Sequence, residues 1–368
     1  MTSDARDDPS QPPTQASPLG LSGQIVGGYR LTRPLAHWPV GAVYLGDRVA
    51  HDTSSPTAAV IKVLGMSWTD RPGEREDAAA RFLQEVAIVQ RLTHPHILRL
   101  LDAGRVRGMP YKVFPYMAGG TLATALYSGP LALPETARSL GEIAAALDYA
   151  HGQGILHGDV KPSHVLLDAE GASYLSEFGL ARLLGAARDS SASTGIVIGT
   201  PEYMAPEQAQ GVMVDRAADI FSLSVLLYQM VTGALPFSSQ SPVETLLRVL
   251  RDAPISPRAL RPALPAPAEA ALLRGLAKRP EDRFASAGDL AQAFACALGG
   301  LRDLLQQQTR ALQGAEAPRR EGHRLISSAL VRWTYVIRRE PSRARRRAFQ
   351  VAGRFACRQC WLAIGTVR

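Results

Sequence analysis

The run from Asp219 to Thr232, DIFSLSVLLYQMVT, is apolar almost all the way round a helix. A helix without a polar face has to be enclosed by protein on every side. The chain must therefore build a domain large enough to surround it, and 368 residues suffice for that. Further helices are expected around it, at Val243–Leu250, Ala268–Leu276 and Ala287–Leu298. A long one opens at Pro134 (PETARSLGEIAAALDYAHGQG), with proline in its first turn and glycine after its last. The N-terminal part has the opposite character. Short β-prone runs at Tyr29–Leu35, Gly41–Gly46, Thr57–Leu64, Ile97–Leu101 and Tyr111–Phe114 read as strands. One segment among them, Glu76–Leu92, has helical apolar spacing. A small sheet with one helix thus precedes a helical body, and a cleft is expected between them.

Apolar residues make up 46% of the chain and charged residues 20%, ordinary values for a globular protein. No apolar stretch reaches the roughly 18 residues of a membrane helix, and the acidic, Pro/Ser-rich start has no apolar run of a signal peptide. Residues 1–24 are expected to be disordered. Three cysteines, Cys296, Cys357 and Cys360, do not form a disulfide framework, which fits a reducing cytoplasm. The net charge of +8 is unevenly spread: residues 319–368 hold thirteen arginines against Glu321 and Glu340, so the rest of the chain is net acidic.

The chemistry lies in one ordered set of short motifs. Val60-Ile-Lys62 stands in the third strand, and Glu85 in the helix after it. His157-Gly-Asp-Val-Lys-Pro-Ser-His164 is followed by Val-Leu-Leu-Asp, then by Glu177-Phe-Gly179, then by Gly199-Thr-Pro-Glu-Tyr-Met-Ala-Pro-Glu207. In order and interval this set resembles the lysine strand, catalytic loop, Asp-Phe-Gly and Ala-Pro-Glu segments of the protein kinases, of the bacterial Ser/Thr type. The resemblance runs from about Tyr29 to Leu298. It implies a two-lobed α+β fold, with a small β-rich N-lobe at about 25–117 and a large α-helical C-lobe at about 118–298. A helical linker at 299–318 and a basic tail at 319–368 would follow.

By resemblance, Lys62 would meet the α/β-phosphates of ATP and Glu85 would hold it by an ion pair. Asp159 would accept the proton of the acceptor hydroxyl, with Lys161 beside it and Thr200 paired to Lys161, the Ser/Thr pattern. Asp159 could instead be a loop aspartate that caps backbone groups. Val43, Val60, Met117 and Leu166 would line the adenine site, Gly41 would belong to the phosphate loop, and Phe114 would be the gatekeeper. Val89, Leu100, His157 and Phe178 match the stacked apolar spine anchored on Asp219. Glu207 and Arg283 match a buried ion pair.

Several residues depart from the family's pattern. Ala36 and Trp38 stand where the phosphate loop has glycines, and Pro39 lacks an N–H. Glu177 replaces the metal-binding aspartate, and His164 replaces the asparagine that would hold a second Mg²⁺. Magnesium prefers oxygen ligands, and imidazole suits transition metals. Gly158 replaces the arginine that receives an activation-loop phosphate, so a phosphate at Ser190, Ser191, Ser193 or Thr194 could not act through it. The expected function is therefore a kinase-like domain with eroded Mg·ATP handling, a pseudokinase or weakly active kinase in bacterial signalling. ATP and Mg²⁺ binding would be weakened or lost, and the partner would be a protein. An active Ser/Thr kinase is the alternative. A scaffold whose basic tail binds nucleic acid or an anionic surface is a third, though such a tail is more often simply solvated. Cys357-Arg-Gln-Cys360 is a lone CxxC without a second ligand pair for zinc.

Overall fold

A computed structural model describes residues 19–38, 41–49, 56–65, 72–178, 182–183 and 200–299. The possible phosphosites Ser190, Ser191, Ser193 and Thr194, the Pro39 turn, residues 300–318 and the basic tail with Cys357 and Cys360 lie outside them. The described residues divide into two compact units. One holds the described residues up to Tyr127 and those from Ala145 to Leu183. The other holds Ser128–Ala144 and the residues from Thr200 onward.

The first unit is built on an antiparallel sheet of β1 (Ile25–Val26), β2 (Tyr29–Trp38), β3 (Gly41–Arg48), β4 (Ala58–Leu64), β5 (Asp102–Val106) and β6 (Met109–Pro115), in the order β1-β2-β3-β4-β6-β5. Strand alternation sorts its side chains between two faces. Tyr29, Leu31, Ala42, Tyr44, Ala59, Ile61, Val63 and Val113 form a buried cluster on one face. On the other face, register aligns Val43, Lys62, Lys112 and Ala103 in one row across β3, β4, β6 and β5. The neighbouring row is Leu45, Val60 and Phe114. Pro34 is tolerated in β2 because a register shift falls beside it.

Two details differ from the sequence expectation. Residues 19–24 are not a disordered leader. Leu21 is fully buried in the sheet cluster, and the Gly23 N–H donates to the Leu31 carbonyl at 2.7 Å. One apolar side chain inserted into the core is enough to order the turn around it. The strand expected at Ile97–Leu101 begins at Asp102 instead. Ile97 makes only an isolated bridge to Leu175, and the Leu98 N–H donates to the Leu175 carbonyl at 2.8 Å. The β5–β6 hairpin closes on Arg107-Gly108, both at positive φ (50° and 80°), the two-residue turn whose twist suits a hairpin.

Helix α1 (Pro72–Val89) packs on β6. After β7 (Gly120–Thr121) and the short α2 (Leu122–Leu126), a long helix α3 (Leu133–Gly152) leads to β8 (Ile155–Leu156). The loop from His157 follows, then β9 (Val165–Leu167), β10 (Ser173–Leu175) and β11 (Arg182–Leu183). β9 lies between β10 and β7, and β11 pairs with β8.

The second unit is helical among its described residues. Its centre is α5 (Arg216–Thr232), the all-round apolar helix, with fourteen of its residues buried, as its sequence requires. Asp215 caps it, accepting the Ala217 N–H at 2.8 Å, and Gly233 ends it at φ 76°. Around it lie α4 (Pro206–Ala209), α6 (Pro242–Arg251), α7 (Pro257–Leu260), α8 (Ala266–Gly275) and a last helix from residue 287. Arg283 is locked inside this unit. It forks onto Glu207 at 2.6 and 2.8 Å and donates to the carbonyls of Ala277, Ala217 and Lys278. All five guanidinium donors are thereby used.

Candidate active site

The site begins with the loop His157–His164, which the buried His157 fixes. Its Nε2–H donates to the Ser176 carbonyl at 2.9 Å, and its Nδ1 accepts the Asp159 N–H at 3.2 Å. Its ring packs against Phe178, with centroids 4.7 Å apart. Ser176 closes the arrangement from just after β10: its N–H and its Oγ both donate to the His164 carbonyl at 2.9 Å. These bonds set Glu177 beside the loop. Ser176 carries no signal in the sequence beyond preceding Glu177.

Asp159 is buried, and Lys161 Nζ donates to its Oδ2 at 2.6 Å. The His164 Nδ1–H donates to the Asp159 carbonyl at 3.0 Å, so the neutral ring leaves Nε2 as a bare acceptor. Burial, together with the charges of His157, Lys161 and Lys62, pushes the His164 imidazole down to about 2 against the pull of that carbonyl. Glu177 takes a left-handed backbone, φ 63°, which costs a branched-free L-residue about 1–2 kcal/mol.

The expected ion pair of Lys62 with Glu85 is not formed. Lys62 pairs with Glu177, and Glu85 pairs with Lys112. The cause is a second lysine on the same sheet face, directly across from Lys62. Lys112 was legible in Tyr111-Lys112-Val113-Phe114 as a lysine on the same side of the strand as Phe114. Burial lowers the Lys62 ammonium to about 8, the charge of Lys112 adds to the effect, and Glu85 opposes it.

The other expected site residues fall as follows. Gly41 starts β3 opposite Trp38 and Leu64. Val43 neighbours Lys62 across strands, and Val60 neighbours Phe114. The Met117 carbonyl accepts the Gly120 N–H at 3.2 Å in the turn after β6. Leu166 sits in β9 between Thr121 and Tyr174. Thr200 belongs to the second unit, where it precedes the 3-10 turn Pro201–Tyr203 and its carbonyl accepts the Tyr203 N–H at 3.0 Å.

Comparison with known proteins decides the family. The Protein kinase domain family model matches residues 46–292. The chain belongs to the bacterial-type Ser/Thr protein kinase family. This kinase domain is 35% identical over 282 residues to the serine/threonine-protein kinase Pkn1 of Myxococcus xanthus, covering 76% of the chain and 39% of that protein. It is 36% identical over 273 residues to PknH of Mycobacterium tuberculosis, covering 74% of the chain and 42% of that protein. It is 35% identical over 215 residues to PknB of the same species, covering 57% of the chain and 34% of that protein. The kinase domain thus spans well under half the length of these relatives.

Kinases of this family use ATP and Mg²⁺, and two positions that would face the metal differ here from the family's pattern. The one carboxylate in place of the metal-binding aspartate is engaged by Lys62, and the second position offers an imidazole nitrogen. No group of three or more His, Cys, Asp or Glu side chains among the described residues is arranged around a metal position.

Proposed function

We propose that this chain is a pseudokinase-like signalling domain: it keeps the kinase fold to engage a protein partner and handles Mg·ATP poorly. The observation that carries the reading is the Lys62–Glu177 ion pair. It occupies at once the cation that would meet the phosphates and the acid that would hold the metal. His164 in the second metal position supports the same reading. The proposed organisation is a kinase domain at 25–298, a linker at 299–318 and a basic tail at 319–368, working in the cytoplasm. Among the described residues no helix is long and apolar enough to cross a membrane.

Two measurements test it. A ligand that binds only the folded state raises the melting temperature, so ATP with Mg²⁺ should give little shift. Transfer of labelled γ-phosphate to a basic protein substrate should equal that of Asp159→Asn. Glu177→Asp combined with His164→Asn should restore a Mg²⁺-dependent shift. Turnover by the unmodified chain, abolished in Asp159→Asn, would overturn the proposal. That outcome would favour the second reading, a weakly active Ser/Thr kinase, which the intact 2.6 Å contact between Lys161 and Asp159 supports.

A further inference from the structure

Lys62 on β4 and Lys112 on β6 are direct cross-strand partners. Side chains so paired leave the sheet on the same face with Cβ atoms about 5 Å apart, and like charges there repel. Each ammonium needs its own carboxylate, because an unpaired charge taken out of water is costly. Two acids face them, and they divide by depth. Lys112 and Glu85 are 3% and 9% exposed in their side chains, whereas Lys62 and Glu177 are 25% and 28% exposed. By exposed side-chain area Lys112 and Glu85 are the deeper pair, while burial also lowers the Lys62 ammonium.

Helix α1 contributes more than Glu85 to this arrangement. Phe82 lies one turn earlier on the same helix face, and the Lys112 ammonium sits 4.2 Å from its ring centroid. Lys112 is therefore gripped by two successive turns of α1, by charge and by a ring face. Lys62 is in contact with neither Phe82 nor Glu85 in the pairs the structure forms; its partner comes from the segment after β10.

We propose that Lys112 is the positioning residue for helix α1, holding it through Glu85 and Phe82, and that Lys62 is thereby detached from the helix. In a kinase of ordinary pattern one lysine both meets phosphate and reports the helix position. Here those two tasks belong to different lysines, and α1 stays docked whatever Lys62 binds. The inference does not depend on whether the domain turns over ATP.

The test is a pair of double-mutant cycles on the full chain, read as melting temperature and as hydrogen-exchange protection of α1 amides. Glu85→Gln and Lys112→Met should each lower the melting temperature by on the order of 10 °C and speed exchange across α1. The double variant should lose little more than either single one. Glu85→Gln and Lys62→Met should couple far more weakly than Glu85 and Lys112, because Glu85 reaches Lys62 only through its charge, and Lys62→Met alone should leave α1 protection unchanged. The charge-swapped chain, Glu85→Lys with Lys112→Glu, should recover α1 protection, which a role of mere volume for Lys112 does not predict. If Lys112→Met does not fold, α1 protection in Lys62→Met still decides, since that variant keeps Lys112. Coupling between Glu85 and Lys62 as large as that between Glu85 and Lys112, or additivity between Glu85 and Lys112, overturns the proposal. A silent phosphotransfer assay would bear on the proposed function and leave these cycles untouched.

Discussion

His164→Asn should change how this domain responds to acid. In the fold the imidazole is buried among His157, Lys161 and Lys62, and its pKa is pushed down to about 2. In the unfolded chain a histidine titrates near pH 6.5. Below that pH the unfolded chain takes up a proton that the folded chain refuses, so stability rises with pH between about 2 and about 6.5 and is lost on acidification. The cost to folding from this one residue is about 2 kcal/mol at pH 5 and about 3 kcal/mol at pH 4. These figures barely depend on whether the folded value is 2 or 3, because the unfolded histidine dominates the difference. Asparagine does not titrate, and its amide can still donate to the Asp159 carbonyl that His164 Nδ1–H now contacts at 3.0 Å. The assay is urea unfolding of both proteins from pH 8 to pH 4, taken as a difference curve. It should be flat above pH 7 and then favour the asparagine variant increasingly towards acid. A difference curve that stays flat down to pH 4.5 would refute the reasoning, since the folded imidazole would then be free to protonate.

Other predictions rest on geometry already described. Arg283→Met leaves Glu207 buried without its partner and three carbonyls without a donor, so it should cost about 3–5 kcal/mol in denaturant unfolding. Arg283→Lys should recover little of this, because one ammonium has three donors against the five used. Gly119→Ala should destabilise the first unit by about 1–3 kcal/mol, since a Cβ there would run into the Asp168 and Leu167 carbonyls, seen as a lower melting temperature. Leu21→Ala should cost about 2–5 kcal/mol if residues 19–24 are part of the core, whereas a disordered leader would make it silent.

Much of the fold was legible because it depends on local pattern. The all-round apolar α5, the proline-led α3 and the alternation in β4 each state their environment in their own residues. The loop His157–His164 and Glu177 were legible as motifs. What the sequence left hidden was partner choice. Lys62 has two acids within reach, and which it takes depends on Lys112, a residue fifty positions away that is its neighbour only once β4 pairs with β6. The strand at Asp102–Val106 was misplaced for a related reason. Ile97 and Leu98 are apolar enough for a strand, but their backbone groups are claimed by Leu175. Ser176 escaped notice because its contribution is three bonds made largely through its backbone.

Gly158 has a consequence of another kind. It sits at φ 77°, a conformation that glycine adopts freely and that an L-side chain enters at a cost of about 1–2 kcal/mol. Exchanging the family's arginine for glycine there releases that cost. An arginine placed there has to meet that cost. Loss and recovery at this position are unequal steps, and the slope between them runs towards glycine. The backbone itself thus sets a toll at 158 that any side chain introduced there, arginine included, has to meet.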